Sequence, residues 1–486
     1  MPDPDRAGLE PLYSAAEMRA AEARYPRYPD SVPELMERAG AAAALAGLGR
    51  FPDAVRWTIV CGGGSNGGDG RVMARHLEAA GRETRIVDAK AGETELEAGD
   101  VIVDALFGTG FSGEPRAEAA ALIARMNAAA APVLAVDLPS GIDASTGEVA
   151  GAAVDAAATV TFHGRKVGLV VAPGRFHAGE VEVADIGLEP VETEHRLVGA
   201  ELLRAVPRRG EADNKYTAGH VLVVGGSRGL TGAPSLAAMA AMRADAGYVT
   251  VAAPESTLPV LEQRLLEAVK RPLPEQHGVA ADGAVDVVLE LARKASAVAL
   301  GPGLGRGRGP HELVRRLLAE LELPVVVDAD ALYELEPPVP GTVPGTGGGW
   351  PGPRVLTPHE GELARLLGRE SKEIAARRLA SVREAAERYR CVVLLKGADS
   401  LIAAPGRGVL VSALGLPSLA TAGTGDVLTG IVAAFLAKGM EAQLATACAA
   451  AAHELAAVAA PQRTGLVASD LIEALPGVLD SCIAPS

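Results

Sequence analysis

Short runs of β-branched and aliphatic residues alternate along the chain with longer Ala- and Leu-rich stretches. That alternation predicts an α/β protein built on parallel sheets. In the first half three runs lead straight into glycine-rich turns: 57–61 into GGGSNGGDG, 101–105 into LFGTGFSGE, and 133–137 into LPSGID. The apolar spacing of Val72, Met73, His76 and Leu77 predicts a helix from about Gly70. From Glu189 to Asp213 the pattern lapses into charged, uneven sequence, read as the connection between two domains, 1–200 and 201–486. A new cycle opens with strand 220–224, the turn GGSRGLTGAP and a long Ala/Met helix to Ala246. Further strands are expected at 297–300, 324–328, 354–356 and 391–395, and the Pro/Gly-rich stretch 337–353 reads as a mobile loop.

Composition narrows the class. Hydrophobic residues make up 48% and charged residues 22%, which excludes disorder as the main state. Aromatics reach only 3% against 57 glycines, so the core must be built from Val, Leu and Ala. A net charge of −15 (46 basic against 61 acidic residues) argues against nucleic acid or an anionic membrane as partner. The cysteines, Cys61, Cys391, Cys448 and Cys482, show no CxxC spacing, as expected in a reducing compartment. The N-terminus has no secretory pattern, and the Ala-rich run 444–460 carries His453 and Glu454, which fits a buried helix. A cytoplasmic protein is expected.

Each glycine-rich turn lies between a strand and a helix. There glycines let backbone N–H groups approach a ligand, and the helix N-terminus favours an anion such as a nucleotide phosphate. Ser65-Asn66-Gly67-Gly68-Asp69-Gly70 is one such turn, without the lysine of a P-loop; others of its kind only close a helix onto a sheet. In an open sheet such turns converge at one edge, which brings in Gly108-Thr109-Gly110-Phe111-Ser112-Gly113-Glu114 and the turn after Asp137. Asp104 admits two readings, a turn cap or a cleft residue. Asp137, ahead of Pro139 and a Ser-Gly pair, reads as a general acid/base. Asn66, Asp104 and Ser140 offer hard oxygens suited to an alkali cation.

Residues 9–187 resemble the NAD(P)H-hydrate epimerase domain through SAAEM (14–18), ELMERAG (34–40), SNGGDG, DALFGTGFSGE (104–114), DLPSGIDASTG (137–147) and TFHGRK (161–166). The resemblance implies a Rossmann-like three-layer domain that interconverts the C6 epimers of hydrated nicotinamide nucleotides. It implies that Ser65, Asn66, Gly67, Gly68, Asp69 and the stretch Gly108 to Glu114 line the nucleotide, with Asp137 beside the ring and K+ on Asn66, Asp104 and Ser140. The family usually has Asn where this chain has Ser65, whose shorter hydroxyl is expected to keep the turn hydrogen bond but to lose an amide's reach.

In the second half Thr421-Ala-Gly-Thr-Gly-Asp426 opens an apolar helix. Its backbone N–H groups form an anion hole for a transferring phosphoryl group, and Asp426 can take a proton from an attacking hydroxyl; the bland alternative is a dipole-favoured acid in a first turn. Lys396-Gly397-Ala398-Asp399-Ser400 leaves a strand and offers a cation to a nucleotide, or else is a plain hairpin turn. Gly301-Pro-Gly303-Leu-Gly305 and Thr357-Pro-His359-Glu-Gly-Glu362 are further strand exits, while His453, Lys215 and Tyr216 read as structural or surface groups.

These motifs, with NKYTAGHVLVVGGS and VVDADAL, resemble the ribokinase-like superfamily and, within it, the ADP/ATP-dependent NAD(P)H-hydrate dehydratase domain, over about 205–480. The resemblance implies an α/β/α domain that removes water from the S epimer, with ADP as co-substrate and Mg2+. It assigns Lys396, Gly397, Ala398, Asp399, Ser400 and Gly425 to ADP. It assigns Ala233, Gly303, His359 and Asp426 to the hydrated dinucleotide, Asp426 being the proton acceptor. Where the family reads Arg-x-Gly-Ala-Gly, this chain has Arg243-Ala-Asp245-Ala-Gly247, and Asp245 is expected to cap its helix differently. The expectation is a bifunctional repair enzyme that forms a homo-oligomer. The alternative is a small-molecule kinase with a non-catalytic nucleotide-binding N-terminal half.

Overall fold

The computed structural model describes residues 8–93, 95–97, 99–338 and 349–482, so most of the expected 337–353 loop lies outside the described residues. Two compact units divide the chain. One spans 11–196 and takes in 375–379; the other holds 197–374 and the chain from 380 onward, with the segment up to Glu10.

The first unit is built on a six-stranded sheet in the order Glu83–Asp88, Arg56–Cys61, Val101–Ala105, Val133–Val136, Ala158–Phe162, Glu180–Ala184. All pairs are parallel. Strand order reverses direction at Arg56–Cys61, so a crevice opens between its carboxyl end and that of Val101–Ala105. The helix expected from about Gly70 instead runs Ser65–Ala79, and the glycines explain the early start. Glycine is a poor helix former, which masks the first turn in the sequence pattern. Here it is required by close approach: a Cβ on Gly67 would lie 1.9 Å from the Gly62 carbonyl, and one on Gly70 would lie 2.6 Å from the Ala105 methyl. The strand expected over 133–137 stops at Val136, because Asp137 turns into the left-handed region at φ 69°.

The second unit carries an eleven-stranded sheet. Its parallel centre runs Val392–Leu395, Arg354–Leu356, Val325–Val327, Ala297–Leu300, His220–Val224, Tyr248–Pro254, Val269–Leu273. Ser400–Ala403 and Leu410–Ser412 continue it antiparallel, and Leu9–Leu12 and His195–Val198 form the far edge. The switch point falls between His220–Val224 and Ala297–Leu300, whose exits cross-bond: the Gly301 N–H donates to the Val224 carbonyl and the Gly226 N–H to that of Pro302. Under this edge the Gly232–Arg243 and Thr424–Ala437 helices press together so closely that a Cβ on Gly430 would sit 2.2 Å from the Ala237 carbonyl. Small residues thus set the height of the helix that begins at the Gly-Thr-Gly-Asp turn. Asp245 does not cap the Gly232–Arg243 helix with its side chain. It follows the helix at φ 69°, and its carboxylate pairs with Lys438 (2.8 Å) and Arg209 (2.7 Å). No helix among the described residues is long and apolar enough to cross a membrane.

Candidate active sites

At the switch point of the first sheet lies a cavity of about 590 Å³. Ser65, Asn66 and Asp69 reach it from the first turns of the Ser65–Ala79 helix, Gly108, Thr109, Gly110 and Phe111 from the next strand exit, and Asp137 from the third. Gly67 and Gly68 are not on its wall; they face the Gly62 carbonyl and Met36. Ser112, Gly113 and Glu114 also lie beyond its lining. Val32, Leu35, Met36 and Phe162 give the cavity an apolar lining, and the rings of Phe107 and Phe111, which also line it, are stacked with centroids 4.6 Å apart.

Three carboxyl groups share this cavity: Asp137, Asp69 and Glu22. Burial, reinforced by the negative charges of Asp137 and Glu22, pushes Asp69 up to about 8, so it carries its proton at neutral pH. Burial and Asp137 also raise Glu22. Asp137 has a cation of its own, the fully buried Lys166, at 2.8 Å. The environments of the three acids therefore differ, the arrangement from which acid and base roles arise.

The expected cation ligands form one bonded cluster. Asp104 is fully buried and accepts from the Ser140 N–H and hydroxyl, each at 2.7 Å, and from the Leu106 N–H at 3.2 Å. Asn66 donates through Nδ2 to the Phe107 carbonyl at 2.7 Å, while its Oδ1 is buried with no hydrogen-bond partner. Burial pushes Asp104 up to about 6. An orphaned amide oxygen in a cluster with a desolvated carboxylate is a donor set that fits a hard monovalent cation.

In the second unit the Gly423 backbone is left-handed (φ 90°) and opens the Thr424–Ala437 helix, with Asp426 in its first turn. The Thr424 hydroxyl braces the turn through the Leu419 and Thr421 carbonyls (2.9 and 2.8 Å). Beside it Lys396 Nζ bonds Asp328 Oδ1 at 2.9 Å, and Thr429 donates to Asp328 Oδ2 at 2.7 Å. A Cβ on Gly425 would meet Lys396 Nζ at 3.3 Å, so glycine there keeps the turn open to the ammonium. Burial and the neighbouring Asp328 push Asp426 up to about 7, against the pull of Lys396. Burial works against the charge of Lys396, but Asp328 and Glu362 outweigh it and hold its pKa above the ordinary value.

His359 caps the Glu360–Leu367 helix. Its Nδ1 accepts from the Gly361 and Glu362 N–H groups, and its Nε2 lies 3.5 Å from Glu362 Oε1. Gly303 (φ 61°) and Ala233 come together across the switch point, where a Gly303 Cβ would lie 3.3 Å from the Ala233 methyl. Lys396 to Ser400 forms the turn of an antiparallel hairpin in which Asp399 is buried and the Ser400 hydroxyl donates to Glu454.

Sequence reasoning missed Asp328, Glu22 and Lys166. Asp328 carries the signal used for Asp137, an acid at the end of an apolar run, and was within reach. Lys166 closes the motif TFHGRK, yet its pairing with Asp137 joins segments 29 positions apart, and Glu22 has no local signature.

A parallel sheet with an acid-lined cavity, joined to a second sheet whose switch point faces a Gly-Thr-Gly-Asp helix start, defines a two-domain α/β enzyme of the nucleotide-handling class. The second unit shares its fold with a ribokinase-like superfamily protein from Enterococcus faecalis V583 (TM-score 0.51, 22% identity, 61% of this chain and 99% of that one). The family described as NAD(P)H-hydrate dehydratase matches residues 221–476, and the YjeF-related protein N-terminus matches 32–98 and 82–168. Over 96% of both chains, the sequence is 40% identical to a bifunctional NAD(P)H-hydrate repair enzyme from Moorella thermoacetica. Identity is also 40% to the enzyme of that name from Pyrobaculum aerophilum, over 92% of this chain and 93% of the relative. The chain belongs to the bifunctional NAD(P)H-hydrate repair enzyme family.

Proposed function

We propose that the first unit interconverts the R and S epimers of hydrated NAD(P)H (NAD(P)HX) and that the second dehydrates the S epimer at the expense of ADP. The observation that carries this reading is an acid beside a lysine at the sheet's outlet edge in each unit, Asp137 in an ion pair with Lys166 and Asp426 in the field of Lys396, whose own ion pair is with Asp328, in a chain matched almost end to end by repair enzymes. Matching over both halves favours it over a lone kinase with an inert N-terminal module.

In the first unit C6 of the damaged ring bears both a hydroxyl and the ring nitrogen. Inversion requires one of those bonds to open and reclose on the other face, with a proton moved at the hydroxyl. Asp137 handles that proton, and the turns at Ser65–Asp69 and Gly108–Phe111 hold the nucleotide. Asn66, Asp104 and Ser140 would hold K+, which would supply fixed positive charge beside the phosphates.

In the second unit Asp426 takes the proton of the ring hydroxyl as its oxygen attacks the terminal phosphorus of ADP and AMP leaves. The C6–O bond then breaks with its electron pair going to phosphate. Loss of the C5 proton restores the double bond, so water is removed as phosphate. Backbone N–H groups of the Gly423–Gly425 turn stabilise the transferring phosphoryl group. Lys396 to Ser400 bracket the nucleotide, which brings its own Mg2+; Ala233, Gly303 and His359 face the dinucleotide. The reading describes a cytoplasmic, self-associating enzyme of small molecules, with neither nucleic acid nor membrane as partner.

The test supplies purified protein with each epimer, with ADP or ATP added separately, and follows recovery of dihydronicotinamide absorbance. Asp426→Asn is expected to abolish recovery while sparing interconversion, and Asp137→Asn to cut interconversion by about a hundredfold or more while sparing recovery from the S epimer. An unchanged profile in both variants would refute the assignments.

A further inference from the structure

We propose that Lys166 is the positioning residue of the epimerising site. With Thr161 it ties down one oxygen of Asp137, so that the other, Oδ2, is the oxygen that exchanges the proton. This rests on the reading of the first unit given above and adds to it the residue that aims the carboxylate.

A lysine ammonium has three N–H donors. Lys166 Nζ has three oxygens within reach: Asp137 Oδ1 at 2.8 Å, Thr161 Oγ1 at 2.9 Å and the Phe162 carbonyl at 2.7 Å. The residue is fully buried, so none of its donors is left for a ligand. It is therefore no substrate contact, and its influence on the reaction passes through Asp137.

The Thr161 hydroxyl, while accepting from Lys166, donates to the same Oδ1 at 3.3 Å. Both anchors thus fall on one oxygen. Oδ2 lies on the other side, beside Gly108, where a Cβ would be 3.4 Å away, and Gly108 lines the cavity. The Asp137 backbone is pinned as well: its N–H donates to the Val160 carbonyl at 2.7 Å with φ at 69°. A residue so held keeps two side-chain rotations, χ1 and that of the carboxylate, and the Lys166–Thr161 pair on Oδ1 restrains both. Two anchors on one oxygen exceed what charge balance alone requires. Balance of a buried charge asks only for a nearby cation.

The experiment measures epimerisation by full-length Lys166→Met, with dehydration of the S epimer by the same preparation as the internal control. The expected result is a fall of about a hundredfold in kcat for epimerisation, the scale of a misplaced acid/base, with KM within about twofold and dehydration unchanged. Should Lys166→Met fail to fold, Thr161→Val supplies the test: kcat falls severalfold at constant KM, and Thr161→Ser restores it. The double variant Asp137→Asn/Lys166→Met is expected to be no slower than Asp137→Asn alone. Wild-type kcat in Lys166→Met or Thr161→Val, or a double variant well below Asp137→Asn, would overturn the assignment. Absence of epimerisation in the wild-type protein would instead sink the reading of the first unit.

Discussion

Asp426 stands near two further acids, Asp328 and Asp330, and one ammonium, Lys396, at the mouth of a helix. Burial dominates, lifting its carboxyl to about 7. A general base must be without its proton to act, so below that pH the acceptor is blocked. Dehydration of the S epimer is therefore expected to rise about tenfold per pH unit up to about pH 7 and to level off above it, read as initial rate at saturating ADP. A flat profile across that range would separate the rate from Asp426. Asp69 differs: burial with Asp137 and Glu22 nearby raises it to about 8, so at pH 7 it keeps its proton where Asp426 has lost half of its own.

At the scale of elements, one helix braces both sides of the second site. His453 and Glu454 are consecutive residues of the Ala442–Ala459 helix. Burial lowers the imidazole to about 4, so it is neutral and its Nε2–H donates to the Thr424 carbonyl at 2.9 Å, in the turn that opens the Thr424–Ala437 helix. A peptide's C=O and N–H point opposite ways, so fixing that carbonyl fixes the direction of the Gly425 N–H. Glu454 accepts from Ser400, Ser412 and the Leu414 N–H, each at 2.8 Å, which anchors the hairpin carrying Lys396. His453→Phe is expected to lower dehydration about tenfold, the scale of a lost hydrogen bond, while epimerisation holds steady, with most of the loss recovered in His453→Gln; equal rates in His453→Phe and wild type would disprove the bracing. The sequence marks His453 as structural, and it is buried and bonded as such, yet its bond is to the turn proposed to hold the phosphoryl group. Such a pairing spans 29 residues and leaves no periodic trace.

At the scale of the whole molecule, each unit has its own sheet, its own switch point and its own acid, so the two reactions need only a freely diffusing epimer in common. An equimolar mixture of Asp137→Asn and Asp426→Asn proteins is therefore expected to restore complete conversion of an R/S mixture with ADP, at a rate near that of wild type at the same site concentration. Persistence of the R epimer in the mixture would show that both acids must reside in one chain. The strand runs that lead into glycine turns, and Asp104 and Asp137 at two of their ends, were legible beforehand, because burial on both faces of a parallel strand and a tight turn after it are local demands that residue type alone records. Strands without such an exit, Glu83–Asp88, Ala158–Phe162, Glu180–Ala184, Tyr248–Pro254 and Val269–Leu273, were not legible. Helix starts were less so: the glycines at 67, 68 and 70 argue against a helix by propensity, and only the neighbouring strand exits, with Met36 of the Val32–Arg50 helix against Gly68, show what they face there. What tertiary structure alone decided is which charges meet. The pairing of Lys166 with Asp137 and of Lys396 with Asp328, the orphaned oxygen of Asn66, and the raised pKa values of Asp69 and Asp426 all depend on distances and desolvation between segments far apart in the chain, and no spacing along it encodes them.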